Sequence, residues 1–379
     1  MAGLYIHVPF CQRKCSYCDF YSIEGTADTS RYLQALSADA SAAAEEYAVR
    51  ESIQTLFIGG GTPSLLQIDE LQRMLAMIRQ KFILVQDAEI TIEVNPGTVN
   101  RDKIENYLAL GINRISIGVQ SFHDDELDFL QRIHSSAEAV RCIEDAKAAG
   151  CSNISIDLIF SLPGQQPERW RDTLEKAFTL QPQHISAYSL IIEDQTPLAR
   201  MVAAGFVTPI PEDDDASLYA LTLAAMHEAG YLQYEVSNFS LPGFSCKHNV
   251  NYWNHSNYLA LGPSSHSFWK TDDTHARRWW NVRSLSEYCR RLEQRQSTVE
   301  GSEALGATEL LCEAIFLSLR CGFLDTHALH ERFGSELTQP LAAQLQGYES
   351  RNLLIRDGSL FRLTSAGYMF CDEIAASLL

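Results

Sequence analysis

The chain has 379 residues, 46% apolar and 21% charged, enough for a sizeable core spread over two or three units. It contains no run of about 20 apolar residues, and its start, MAGLYIHVPFCQRKC, lacks a basic leader with an apolar stretch and cleavage site, so neither a membrane span nor secretion is expected. A net charge of −18 argues against a generic nucleic-acid surface, and ten cysteines without a leader point to a reducing, cytoplasmic setting.

Short β-branched or aromatic runs alternate with helical periods over the first 230 residues. Strands are expected at 4–8, 55–58, 89–94, 114–119, 154–160 and 185–190, with helices at 32–47, 66–81, 102–110, 137–149 and 169–180 between them. Six such strands imply parallel pairing through right-handed crossovers. Several read as apolar on both faces, as in a sheet covered by helices on one side and filled on the other. A barrel and a doubly wound sheet both satisfy this pattern, and in either the chemistry belongs at the carboxyl ends of the strands. Residues 231–282 look loop-like, poor in helical period and rich in aromatic residues, His, Asn, Ser and Gly. Beyond 304 come helices at 307–319, 326–332 and 336–351. A hairpin around Asp357-Gly358 and a last helix from Thr364 follow. That order resembles a winged helix, read here as a packing or partner domain. The expected units are 1–230, a connecting aromatic- and His-rich region 231–300, and 301–379.

Cys11, Cys15 and Cys18 stand as C-x3-C-x2-C directly after the first strand. Three thiols in so short a loop can converge on one centre, and thiolates favour iron–sulfur clusters, zinc or copper. A structural zinc site would be closed by a fourth ligand. Position 20 is Phe20, the next cysteine is Cys142, and His7 lies inside the strand run. A cubic [4Fe–4S] cluster on three thiols would keep one iron open. With Tyr17 just before the third cysteine, the motif resembles the radical S-adenosylmethionine superfamily. The resemblance implies that the open iron is chelated by the amino and carboxylate groups of the methionine moiety, and that an added electron breaks a carbon–sulfur bond to give a 5′-deoxyadenosyl radical. Further groups sit at later strand ends: Gly59-Gly60-Gly61-Thr62-Pro63, Glu93-Val94-Asn95-Pro96, Gln120, Arg132, and Asp157 ahead of Ser161-Leu162-Pro163-Gly164-Gln165. Glycines let backbone approach a ligand and expose N–H groups to it. A carboxylate such as Asp157 suits ribose hydroxyls, and a guanidinium such as Arg132 can fork onto a carboxylate.

The ordered set Tyr5, Cys11, Cys15, Cys18, Gly60, Gly61, Thr62, Glu93, Gln120, Arg132 and Asp157 resembles the oxygen-independent coproporphyrinogen III dehydrogenase group over essentially the whole chain. The resemblance implies an α/β fold: a partial (β/α)6 TIM-like barrel, an aromatic-rich loop or insert region, and a C-terminal helical, winged-helix-like domain. It also implies that the matching positions bind the cluster and S-adenosylmethionine, with Tyr17 touching a second cofactor molecule. Two departures count against porphyrinogen decarboxylation. Phe20 replaces a further cysteine, and the first strand starts almost at Met1, where the dehydrogenases carry a preceding segment. His248-Asn249-Val250-Asn251-Tyr252-Trp253 reads as HNxxYW, which resembles the haem-chaperone branch of the group.

Four of the five tryptophans and four of the eleven histidines fall between His248 and Trp280, a concentration suited to an apolar macrocycle whose iron needs an axial nitrogen. His248, Asn249, Tyr252 and Trp253 are the expected haem contacts. His255, His266 and Cys246 are rival ligands, and Arg277 and Arg278 could reach propionates. The bland alternative is that His248 and Asn249 cap a loop and the aromatics form core. The leading expectation is therefore a chaperone that holds the cluster, S-adenosylmethionine and haem, and passes haem to an acceptor protein, membrane-associated or not. A homodimer stays open and no nucleic-acid partner is expected. The runner-up is the dehydrogenase itself, which converts propionate side chains to vinyls.

Overall fold

The first six expected strands form and lie side by side. In the computed structural model, which describes residues 2–48 and 51–378, these are β1 (Ala2–Val8), β2 (Ile53–Gly60), β3 (Leu84–Val94), β4 (Arg114–Gln120), β5 (Ile154–Phe160) and β6 (His184–Ser189). Met1, Val49, Arg50 and Leu379 fall outside the described residues. Each strand is parallel to the one before it. Helices Thr29–Ala43, Ile68–Lys81, Arg101–Ala109, Ser136–Ala148 and Pro167–Thr179 occupy the crossovers. Local signals set their starts: Ser135 and Glu138 form a reciprocal cap on one, and Pro167 opens another.

The strands are not apolar on both faces. In β4, Ile115, Ile117 and Val119 are buried on the helix side, as are Ile90, Ile92 and Val94 in β3 and Ile154, Ile156 and Leu158 in β5. The alternate residues Arg114, Ser116, Gly118 and Gln120 face the lumen. Helices demand an apolar outer face, whereas a lumen that receives a polar ligand does not. Each buried Ile, Leu or Val contributes about 1.5–3 kcal/mol, so the outer layer carries the stability and the lumen is free for chemistry.

The segment expected to be loop-like is instead built from short strands. β7 (Leu232–Glu235) and β8 (Asn238–Ser240) add antiparallel to the edge at β6. β9 (Tyr258–Leu261) pairs parallel with β1, and β10 (His266–Lys270), β11 (Ala276–Asn281) and β12 (Val299–Leu305) continue as an antiparallel meander. The result is one open, 12-stranded sheet in the order β12-β11-β10-β9-β1-β2-β3-β4-β5-β6-β8-β7, running through the expected boundary at 230.

Helix Lys247–Trp253 closes the end of the barrel where the strands begin. The Glu89 carboxylate accepts from the backbone N–H of Lys247 and of His248, both at 3.1 Å, and Thr55 meets the His248 ring. C-terminal helices Ala307–Arg320, Thr326–Phe333, Leu341–Ser350 and Cys371–Leu378 pack with a small sheet of Phe323–Asp325, Leu354–Asp357 and Leu360–Leu363. They share a core of their own, which Phe268, Ala276 and Leu305 join to the main sheet. The expected helix 336–351 is interrupted: Ser335–Thr338 ends before Pro340, which has no N–H to continue the ladder and instead starts Leu341–Ser350. No helix among the described residues is long and apolar enough to cross a membrane.

Candidate functional site

The loop after β1 is tied at its neck. Phe10–Cys11 pairs with Ile23–Glu24, and Gly25 N–H donates to the Cys11 carbonyl at 2.9 Å. The glycine turn after β2 packs against that neck. Gly60 has φ +112°, and a Cβ there would lie 2.7 Å from the His7 ring; one on Gly61 would lie 2.6 Å from the Phe10 carbonyl oxygen. The amides of this turn are engaged. Gly60 N–H donates to Glu93 Oε2 at 3.0 Å, Gly61 N–H to the Val8 carbonyl at 2.8 Å, and Thr62 N–H to the Phe10 carbonyl at 2.6 Å. Thus the glycines serve the close approach of the cysteine loop, and free N–H groups, expected from the sequence, are not presented. A ligand's ammonium group would find an acceptor in Glu93 instead.

Between loop and strand ends lies a cavity of about 580 Å³. Cys11, Cys15, Cys18, Tyr17, Gly60, Gly61, Thr62, Glu93, Gln120, Arg132 and Asp157 all line it. Tyr5 does not. Its ring packs within the barrel against Phe57 and His248, and its hydroxyl meets His7 Nδ1 at 3.2 Å. Two thiols carry donors: Arg132 Nη1 points at Cys15 Sγ (3.6 Å) and Thr62 Oγ1 at Cys11 Sγ (3.6 Å). Burial pushes the Cys18 thiol up to about 11, so a metal must displace its proton. Among the described residues no three His, Cys, Asp or Glu side chains close on a single metal ion, and this trio suits a larger body that takes one thiol per iron.

The electrostatics of the cavity are unbalanced in a way that suits a charged ligand. Burial, reinforced by Asp157, pushes the Glu93 carboxyl up to about 8, so it holds a proton at neutral pH. Asp157 is raised by burial, with the Ser186 and Ser116 hydroxyls opposing. Arg132 Nη2 donates to Asn95 Oδ1 (2.5 Å) and to the Gly118 carbonyl (3.1 Å), while its buried Nε lacks a partner. Arg114, which sequence reasoning missed, is 2% exposed and lines the inner wall, and its buried Nε also lacks a partner. Its signal was the alternation Arg-Ile-Ser-Ile-Gly-Val-Gln in β4, with a polar residue or glycine at every lumen position. Gln120 ends that strand at φ +65°, a left-handed conformation that a non-glycine residue holds only when its surroundings enforce it. A second hollow, of about 630 Å³, lies beside Arg79 and Ile83, but Arg79 there is engaged by the Leu110 carbonyl and Lys81 by Ser41.

Residues 5–177 match the Radical SAM superfamily and residues 305–370 the HemN C-terminal domain. The whole chain overlays coproporphyrinogen III oxidase (HemN) from Escherichia coli with a TM-score of 0.86 at 23% identity, covering 100% of this chain and 89% of that one, a likeness of fold. A protein named heme chaperone HemW in Mycobacterium tuberculosis (strain ATCC 25618 / H37Rv) is 34% identical over 384 residues, spanning 100% of this chain and 94% of the relative. Its namesake in Escherichia coli (strain K12) is 41% identical over 268 residues, 70% of this chain and 69% of that protein. The chain belongs to the HemW family.

For a HemW-family chain, the placement of the HNxxYW segment departs from the expectation of a haem pocket. His248 is buried and both ring nitrogens are engaged, Nδ1 by Thr55 Oγ1 (2.8 Å) and Nε2 by the Tyr252 hydroxyl (2.9 Å). Burial, with Arg114 second, holds its pKa down to about 3. Tyr252 packs edge-on against Tyr258, and Trp253 lies under the Arg320 guanidinium of the C-terminal unit. Only Asn249 of the expected four lines the cavity. In this conformation His248 cannot ligate iron, because it has no free nitrogen. Cys246 is fully buried against Glu89, its thiol pushed up to about 12 by burial. His255 is buried against Phe268 and its Nε2 bonds Glu313 at 3.0 Å. Arg277 and Arg278 project to opposite faces of β11: the first covers Trp279, and the second pairs with Glu313 at 2.7 Å.

Proposed function

We propose that this chain is a haem chaperone that holds a [4Fe–4S] cluster on Cys11, Cys15 and Cys18, binds S-adenosylmethionine in the adjoining cavity, and carries haem to an acceptor protein. The observation that carries the cofactor reading is the convergence of three thiols, the buried carboxyl groups of Glu93 and Asp157, and the buried guanidinium groups of Arg114 and Arg132 on one cavity. Glu93 would accept from the ligand's ammonium group, Arg132 would meet its carboxylate, and Asp157 and Gln120 would hold ribose hydroxyls. When bound, the cluster supplies one-electron chemistry; the chain's own part is to orient the ligand and shield it. The haem reading is supported by membership of the HemW family.

Anaerobic isolation followed by iron, sulfide and zinc analysis tests the first part. About four irons and four sulfides per chain are expected, whereas one zinc per chain without iron or sulfide would overturn it. Adding ferric haem should then produce a Soret band, and coproporphyrinogen III with S-adenosylmethionine and a reductant should yield no protoporphyrinogen.

A further inference from the structure

The inner face of the sheet does not stop at the barrel. Strand register carries it outward from Tyr5 to Ala260 on β9, while Tyr258 leads to Phe268 on β10 and Arg278 on β11. On the same face, nearer the cysteine loop, His266 faces Trp280, and Trp280 faces Gly301. The C-terminal unit covers Phe268 and Ala276 but leaves His266 exposed. β9 runs parallel to β1, and the turn that leads into β10 abuts the end of β1, where a Cβ on Gly262 would lie 2.6 Å from the His7 carbonyl oxygen. The His266 end of β10 is therefore at the same end of the barrel as the cysteine loop.

Resting on the haem reading above, we propose that His266 is the imidazole that ligates the iron of the bound haem, with the Trp280 indole as the apolar wall beside it. The chemistry needs a nitrogen lone pair that nothing else uses, next to an apolar surface, open to a molecule the size of a porphyrin. The His266 ring is exposed and has no hydrogen-bond partner among the described residues, whereas both His248 nitrogens are engaged, His255 is held at Nε2 by Glu313 with its unpartnered Nδ1 buried, and His275 is held by Asp272. Trp280 is fixed for its part. A Cβ on Gly301 would fall 2.3 Å from the indole, so the ring lies directly on that glycine. The imidazole stacks on it, centroids 5.8 Å apart and planes 23° from parallel. Partial burial and the nearby Arg278 lower the pKa of His266, which keeps the imidazole neutral and able to ligate at neutral pH.

The test titrates ferric haem into the full-length, cluster-loaded protein and into His266→Ala, Trp280→Phe and His255→Ala variants. Soret spectra, ligand-field bands and tryptophan quenching are read together. His266→Ala should weaken haem binding about tenfold or more and lose the histidine-ligated spectrum, and added imidazole should restore that spectrum. Trp280→Phe should reduce the quenching, and His255→Ala should bind as the wild type does. An unchanged spectrum in His266→Ala, with S-adenosylmethionine binding intact, overturns this assignment and leaves the haem reading standing. Absence of any haem binding by the wild-type protein overturns both.

Discussion

The two ends of the barrel both carry dense sequence motifs, yet they differ in what their polar atoms have left to do. At the end where the strands start, Glu89, Thr55, His248 and Tyr252 satisfy one another and hold the closing helix in place. At the end where the strands finish, three thiols, a protonated Glu93 and the partnerless Nε of Arg132 face an open cavity, on whose floor Arg114, at the start of β4, keeps a partnerless Nε of its own. The first end is consistent with a completed structure and the second with one that a ligand completes. A motif is therefore read better by its unused bonding capacity than by its residue types.

The largest effect separating the two ends should come from replacing Cys11, Cys15 and Cys18 together by Ser. Iron and sulfide should vanish while far-UV circular dichroism stays unchanged, because the outer apolar layer holds the barrel. Unfolding of that variant would place the cysteine loop among the structural elements. At the opposite end, His248→Ala should cost about 3 kcal/mol in urea denaturation, since it leaves Thr55 and Tyr252 unpaired and opens a cavity. A cost near zero would break the contrast.

Glu93 gives the third effect. Its folded-state pKa of about 8 lies above the ordinary value of 4.5, so the folded chain binds the extra proton. This group's contribution should therefore be greatest below about 4.5 and fall away, by up to about 5 kcal/mol, as pH rises through about 8. Glu93→Gln should flatten that fall in thermal melts taken across the same range. Arg114→Met comes next: removing an unsatisfied buried charge should raise stability by about 1 kcal/mol while weakening S-adenosylmethionine binding in equilibrium dialysis. A loss of 2 kcal/mol or more would mean that the guanidinium is already committed to the fold. Phe20→Cys should matter least. The side chain is 68% exposed on the cavity rim, so stability should change by less than about 0.5 kcal/mol, with no vinyl-forming activity gained.

Much of this was legible in the sequence because strong local patterns and function coincide there. Runs such as Ile-Ser-Ile-Asp-Leu-Ile-Phe marked the strands, and every residue expected near S-adenosylmethionine except Tyr5 lines one cavity. The meander from β9 to β12 was not legible. Its strands are short, and residues such as Trp279 and Trp280 are aromatic on both faces, so no clean alternation shows. The bonding of HNxxYW was not legible for a related reason: whether a histidine nitrogen is free depends on Thr55, nearly two hundred residues earlier, which no local pattern reveals. Arg114 escaped notice because a lone arginine at a strand start reads as an edge residue until its register places it in the lumen.

With helix Lys247–Trp253 stoppering one end, the lumen is a cul-de-sac. Two guests that share it must queue. A smaller guest lying deepest would then enter first, and one held across the rim would have to depart before it. Release of cargo and turnover of the inner guest would thus be ordered by the shape of the barrel alone, without any signal passing between the two.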